Sequence, residues 1–574
     1  MRPIPAKKHH WAAAVLVAFV AGNTLLSFRQ IDVSEDQANM LAEVFKDQDP
    51  LLYPHDPIFA EAGRGAAWRA RLPAWRGLLS SALRLVGSEE PLNAFRLIGA
   101  AALPVYLVFM YLLLYRQTHS TSSATLVAVI SVAIFSIKRP YWGLGPIFAA
   151  TPANVYLAAV PLLALLFLNS RKRWAVVGVF FLAGLAGNVH LPSAMNLVAV
   201  MLLALLALER LRPRAWAVAI VCLAAAAAGA APALYYYELT FHAAGLEWPA
   251  ISMPALRGVL QLGGINFLYP AALEHVLRWL PVAVVLAAPA AIILSRAGRY
   301  RVSDLPGWLW LLAAALLVAL GLHGLSQLVG RLLGTRTPVI GFFDALRLAM
   351  LPLYVLFAQA TVHLMRLTRR HRSWVRAGLG LLAAVYLGSS HNTRPLRHMV
   401  QDFIVDVAQE HSPATARPRD SADRELRLLA RWADHHTPSD ALFVADRPEI
   451  RPYGRRSLLC CQADVRYLYH FAPGRLSQWA WCLREQRALL KPTQSARADA
   501  AAIAAFVDAH WQRGGGLAAP TYLLIRAEAA PAPTDRLEEI TPPGGIWGQY
   551  WRLFLVRPAG PATIPTLTTR PEDT

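Results

Sequence analysis

Long apolar runs without a polar face constrain this chain more than any other feature. Trp11 to Phe28, Leu92 to Tyr115, Ala215 to Leu234 and Leu309 to Leu322 are examples. An amphipathic helix would place polar residues at every third or fourth position, and these runs do not. About 20 apolar residues in a helix match the hydrocarbon thickness of a bilayer, so the runs predict membrane-spanning helices. Eleven are predicted, at 11–28, 92–115, 120–137, 147–168, 174–189, 192–208, 215–234, 277–295, 306–326, 342–365 and 373–389. The fifth and sixth are short enough to form one re-entrant pair. Phe28, Arg29 and Gln30 stand where a signal peptidase would need small residues, so the first run is expected to remain as an anchor. Only 16% of the 574 residues are charged, against about 25% in a soluble protein.

The formal charge of +20, from 56 Lys+Arg and 36 Asp+Glu, suits either a nucleic-acid partner or basic cytoplasmic loops. The positions of the charges decide. With the N-terminus in the cytoplasm, the short inner connections carry eighteen Lys and Arg and the short outer ones five. Basic residues resist translocation, so this asymmetry fixes the predicted orientation. Residues 391–574 hold 23 basic and 20 acidic residues, leaving most of the excess in the membrane part. The charge therefore reads as topology and excludes nucleic acid as a partner. An odd number of spans puts the tail outside the cytoplasm.

Two pieces lie outside the spans: a first outer loop at 29–91 and the tail. In the tail, Ala422 to Asp434 reads as an amphipathic helix and Ala441 to Ala445 as a buried strand. Helices at 475–490 and 498–512 follow, then strands at Tyr522 to Arg526 and Tyr550 to Val556. Such a mixture can close one small α/β core. The predicted fold class is an α-helical polytopic membrane protein with a C-terminal extracytoplasmic α/β domain. Residues 1–390 form the transmembrane domain, 391–560 the α/β domain and 561–574, rich in Pro and Thr, a disordered end. No repeat of fixed period occurs. Cys222 falls in a span, whereas Cys460, Cys461 and Cys482 fall in the tail, where Cys482 could pair with either member of the vicinal pair. No zinc-type spacing is present, so no cofactor is assigned; a divalent cation stays open.

The first 390 residues contain sixteen acids, and ten lie in the first outer loop. Asp32, Glu35 and Asp36 follow the first span directly, at the membrane surface. On a helix starting near Ser34, Asp36, Met40 and Glu43 share a face. Acids there would also suit the positive end of the helix dipole, which is reason enough for a surface helix to carry them. Their functional reading is a carboxylate held against the membrane as a general base. A lipid-phosphate substrate would also need positive charge. Arg347 follows Asp344 by three residues at the outer end of the tenth span, and ionisable groups at that depth are costly unless used or paired. His190, in the outer turn between spans five and six, Arg139 with Lys138 ahead of Tyr141 and Trp142, and Asp56 are further candidates for substrate or phosphate contact.

The layout resembles the glycosyltransferase C superfamily: one span, a long outer loop with a membrane-proximal acid, ten more spans and an outer α/β domain. Glu35-Asp36-Gln37 followed by Leu51-Leu-Tyr-Pro-His-Asp56 is similar to the first-loop pattern of bacterial members. Thr437-Pro438-Ser-Asp440-Ala-Leu-Phe443, then Arg455-Arg456 and Trp479, resembles an uncharacterised bacterial family of the same layout. The resemblance implies inverting transfer of a sugar from a polyprenyl-phosphate donor to an acceptor at the outer face of the cytoplasmic membrane. Asp36 would be the catalytic acid, with Asp32 and Glu35 as rivals, and Arg347 would grip the lipid phosphate. The expected partners are the lipid-linked donor and membrane lipids. A transporter or flippase of a lipid-linked substrate, or a noncatalytic envelope scaffold, would share the topology. The spans show no repeat between halves, which disfavours the transporter.

Overall fold

A computed structural model describes residues 7–29, 35–60, 67–87, 89–136, 141–145, 150–170, 172–243, 258–259, 261–263, 280, 287, 305–332, 341–368, 372–390, 418–490, 497–513, 519–542 and 547–558. The membrane part begins with α1 (Lys7–Arg29), and the first loop supplies α2 (Glu35–Gln48) and α3 (Pro73–Val86). Then follow α4 (Asn93–Thr118), α5 (Thr121–Ile130), α6 (Pro152–Asn169), α7 (Arg173–Ala186), α8 (Leu191–Leu208), α9 (Pro213–Gly229) and α10 (Ala231–Ala243). Leu305–Leu316, His323–Leu332, Met350–Leu367 and Arg372–Gly388 complete the described membrane helices.

Six described helices are long and apolar enough to cross a membrane, or seven when the α9–α10 pair, bent by 66°, is one span. The predicted third, fifth and eleventh spans appear as the shorter apolar helices Thr121–Ile130, Arg173–Ala186 and Ser373–Gly388. The third stops early because the chain after Ser131 turns into an antiparallel hairpin, β1 (Phe135–Ser136) with β2 (Tyr141–Trp142). The predicted eighth span lies outside the described residues, apart from Leu280 and Ala287.

Local sequence explains several of the helix starts. Thr151 caps α6 by accepting from the Asn154 amide, and Pro152 takes the first helical position, where no amide hydrogen is needed. Ser120 does the same for α5 through Ser123. Glycine decides one packing contact: a β-carbon on Gly184 of α7 would collide with the Ala226 carbonyl of α9, and one on Gly229 with the Phe181 carbonyl. Small residues facing each other let two apolar helices approach to backbone contact.

The tail forms a five-stranded sheet in the order β4-β3-β5-β7-β6. Its strands are β3 (Leu442–Val444), β4 (Ser457–Leu458), β5 (Thr521–Arg526), β6 (Leu537–Glu539) and β7 (Trp551–Val556). β3 is parallel to β4 and β5, and β7 is antiparallel to β5 and β6. The predicted helices appear at Pro418–His436, Leu476–Leu490 and Ala500–Arg513. Both sheet faces are covered, so β3 and β5 read as nearly continuous apolar runs. One face packs on Leu426, Leu429 and Ala433, the other on Leu483, Ile503 and Val507.

The loop after α1 is not a separate piece. Met40, Leu41, Val44 and Phe45 of α2, with Trp75, Leu79 and Leu83 of α3, share a core with Phe443, Tyr522 and Leu553. Tyr53, Ile58 and Phe59 join the core on the other side of the sheet. Loop and tail thus fold as one unit around the sheet, packed on the first turns of α4 through Leu92, Ala94, Phe95 and Ile98. The predicted disordered end falls on residues outside those described.

Candidate functional site

Two polar clusters lie where the first loop meets the tail. The first is centred on Arg451, whose side chain is 0% exposed. Its Nε donates to Asp56 Oδ2 at 2.7 Å and its Nη2 to Oδ1 at 3.1 Å. Nη1 donates to Asp464 Oδ1 at 2.6 Å and to Asn39 Oδ1 at 2.8 Å, and Nη2 also reaches Asp464 Oδ2 at 3.2 Å. Asp56 accepts further from the amides of Ile58, Phe59 and Leu458, and Asp464 from the amide of Cys461. The Phe59 ring lies 5.0 Å from the guanidinium. Every charge here is paired and nearly every lone pair used, which is the condition for burying three charges.

Asp56, expected to contact substrate, sits at the centre of this arrangement. Asp56 is fully buried, and its oxygens are taken by Arg451 and by loop and tail amides. It fastens the first loop to the tail.

The second cluster is incomplete. Glu43 of α2 is fully buried and accepts from Tyr467 at 2.5 Å. Arg71 approaches the same carboxylate oxygen with its Nε at 3.9 Å, which is an ion pair without a hydrogen bond. Glu43 Oε2 and Arg71 Nε are both buried with no hydrogen-bond partner. Burial is the largest influence on Glu43 and raises its pKa to about 8, against the opposing pull of Arg71 and of the Tyr467 hydrogen bond. Glu43 is then mostly neutral at pH 7 and contributes little to balancing the charge of Arg71. The field of Asp36, half-buried one helical turn before Met40, reaches both Arg71 and Tyr467. Arg71 also lies over the Tyr467 ring at 5.8 Å.

On the membrane side, His190 and Arg347 complete the surroundings. His190 caps α8: its Nδ1 accepts from the Ser193 amide at 3.3 Å and lies 2.8 Å from the Ser193 hydroxyl. Burial, then the positive charges of Arg71 and Arg347, push its pKa down to about 3, so the ring is neutral at pH 7 and both arginines lie within its electrostatic reach. Arg347 donates from Nε to the Gly143 carbonyl at 3.0 Å and from Nη2 to Asn154 Oδ1 at 3.2 Å. Gly143 has φ of +125°, a conformation that glycine alone adopts without strain, and this turns its carbonyl toward the arginine. Asp344 is exposed in a short 3-10 turn, Phe342–Asp344, just before the helix that carries Arg347.

Of the predicted site residues, Asp36 acts electrostatically on Arg71, and His190 feels the charges of Arg71 and Arg347; Asp344 precedes Arg347 by one short turn. Asp32, the side chain of Glu35, and Arg139 with Lys138 lie outside the described residues. Sequence reasoning did not single out Arg71 or Tyr467. Arg71 sits among Arg64, Arg69 and Arg76 in the second half of an otherwise acidic loop, and that reversal of sign was the available signal. Tyr467 carried none. No group of three or more His, Cys, Asp or Glu that could hold a metal occurs among the described residues. The vicinal-pair ambiguity also narrows: Cys460 Sγ lies 3.1 Å from Cys482 Sγ.

Comparison with protein-family models and with curated proteins finds no match. Among solved structures, the chain is similar to ArnT from Cupriavidus metallidurans bound to undecaprenyl phosphate. That similarity has 12% identity and a TM-score of 0.45, covering 94% of this chain and 97% of that one. It is also similar to the Archaeoglobus fulgidus oligosaccharyltransferase in complex with zinc and sulfate. There the identity is 11% and the TM-score 0.40, covering 89% of this chain and 68% of that one. Likeness at this level assigns no activity to the chain.

Proposed function

We propose that this protein is an integral-membrane glycosyltransferase that moves a sugar from a polyprenyl-phosphate donor to an acceptor hydroxyl at the outer membrane face. The observation that carries the reading is Arg71, a cation whose buried Nε has no acceptor, flanked by Asp36, a neutral Glu43 and a neutral His190. A guanidinium with a buried nitrogen that makes no hydrogen bond suits an anionic ligand, and a phosphate offers oxygens to it in matching geometry. The outer ends of apolar helices lie beside it, which suits a ligand whose tail stays in the bilayer.

In this reading Asp36 takes the proton from the acceptor hydroxyl as its oxygen attacks the anomeric carbon. The bond from that carbon to the phosphate oxygen breaks, and Arg71 and Arg347 stabilise the charge gathering on the leaving phosphate. Glu43, held neutral, cannot compete as the base near pH 7. The N-terminus lies in the cytoplasm and the tail outside.

Membranes containing the protein and a labelled polyprenyl-phosphate sugar provide the test. Asp36→Asn should reduce transfer to background while the protein remains folded, and Asp32→Asn should retain it. Full activity in Asp36→Asn removes it as the base, and full activity in both variants removes the first-loop acids together.

A further inference from the structure

We infer that Cys460 and Cys482 are joined by a disulfide that staples the tail domain, and that Cys461 takes no part in it. The inference rests on the tail lying outside the cytoplasm and is independent of the sugar-transfer reading. Spacing alone leaves Cys460 and Cys461 as equal rivals for Cys482, and the fold separates them. The two residues follow β4, and the extended backbone of Cys461, with φ of −145° and ψ of 169°, sends its side chain to the face opposite that of Cys460. Cys460 enters the core with Leu476, Trp479 and Cys482, while Cys461 enters the opposite core with Leu426, Tyr453 and Tyr522. The Cys460 and Cys482 sulfurs are 3.1 Å apart, and Gln486 Nε2 holds the Cys460 carbonyl at 3.0 Å. The Cys461 thiol is otherwise engaged: it donates to Asp464 Oδ1 at 3.1 Å and accepts from Arg451 Nη1 at 3.6 Å.

The chemistry is ordinary exchange. A thiolate of one cysteine attacks the sulfur of a disulfide oxidant, small or protein-borne, to give a mixed disulfide, which the second cysteine then resolves. One S–S bond forms between Cys460 and Cys482, two S–H bonds are lost, and the oxidant leaves as two thiols carrying the two electrons and two protons. Both sulfurs are buried in the finished fold, and burial raises the Cys460 thiol well above its ordinary range. A buried, protonated thiol exchanges slowly, so oxidation belongs to the folding chain before β4 and the helix Leu476–Leu490 pack. The link then pins that helix to the strand end whose next residues, Cys461 and Asp464, hold Arg451.

The test uses the full chain in the membranes of living cells. Cells are quenched in acid, the protein is denatured with N-ethylmaleimide, and unreduced peptides are read by mass spectrometry. The expected result is a cross-link to the Cys482 peptide that survives in Cys461→Ser and vanishes in Cys460→Ser, with Cys222 alkylated. Reductant should also lower the melting temperature of the wild type by roughly 5 °C and leave that of the Cys460→Ser/Cys482→Ser protein unchanged. Alkylation of both Cys460 and Cys482, or a link that needs Cys461, overturns the inference. A reporter fused after Thr574 tells the two failures apart. Reduced thiols in an outside tail refute the pairing, and an inside tail refutes the placement on which it rests.

Discussion

The two polar clusters between the first loop and the tail are built from the same residue types and teach opposite lessons. Around Arg451, two carboxylates, an amide side chain and four backbone amides close a buried network in which every carboxylate oxygen and guanidinium nitrogen is partnered, leaving only the Asn39 Nδ2 without one. Around Arg71, a carboxylate oxygen and a guanidinium nitrogen are equally buried and have no hydrogen-bond partner. A saturated network is architecture, because any ligand entering it would have to displace a hydrogen bond already made. An unsaturated one carries the cost of desolvation with nothing in return from the protein itself. Such a cost is understandable where a ligand supplies the missing partner.

The largest effect should come from breaking the saturated side. Arg451→Ala leaves Asp56 and Asp464 buried without their cation, which costs roughly 3–5 kcal/mol. Limited proteolysis of the tail and a thermal melt should show the loss of the loop–tail unit. Arg451→Lys should rescue little, since a single ammonium cannot reproduce the forked pairing. Arg71→Gln should do the reverse, lowering sugar transfer by roughly 10²-fold or more with an unchanged melting temperature. If Arg71→Gln instead unfolds the protein, the second cluster is architecture as well.

A smaller effect concerns pH. The pKa of Glu43 in the fold is about 8, above its ordinary 4.5, so the folded chain binds a proton that the unfolded chain has lost between those values. Stability from this group therefore falls as pH rises from about 4.5 to about 8 and is flat outside that window. Thermal melts across that range should lose this slope in Glu43→Gln, which mimics the neutral acid. The smallest effect should be Arg557→Ala. This residue pairs with Glu538 at 2.6 Å, but both side chains are about half exposed, so the cost should stay under about 1 kcal/mol.

These contrasts also mark how far the sequence was legible. Apolar runs located the membrane helices well wherever length and composition agreed, as at Asn93–Thr118 and Leu191–Leu208. The third run misled because its apolar residues continue into a hairpin, and hydropathy does not distinguish a span from a buried turn. Period and strand composition found the tail's main helices and the strands β3, β5 and β7. The two-residue strand β4 and three-residue β6 were too short to carry a pattern. Asp36, His190 and Arg347 drew notice in the sequence because charge near apolar runs is conspicuous. Arg71 and Tyr467 were not, since their meaning comes from a contact between residues nearly 400 positions apart. The pairing of Asp56 with Arg451 was hidden in the same way, since the two are equally remote in sequence.

The most direct measurement of the central claim is the binding of a short-chain polyprenyl phosphate to the purified protein in detergent. Wild type is expected to bind it, Arg71→Gln to bind at least about tenfold more weakly at the same melting temperature, and Arg557→Ala to bind as the wild type does. Equal affinity for wild type and Arg71→Gln would contradict the claim that the unsaturated cluster is where the ligand's phosphate sits.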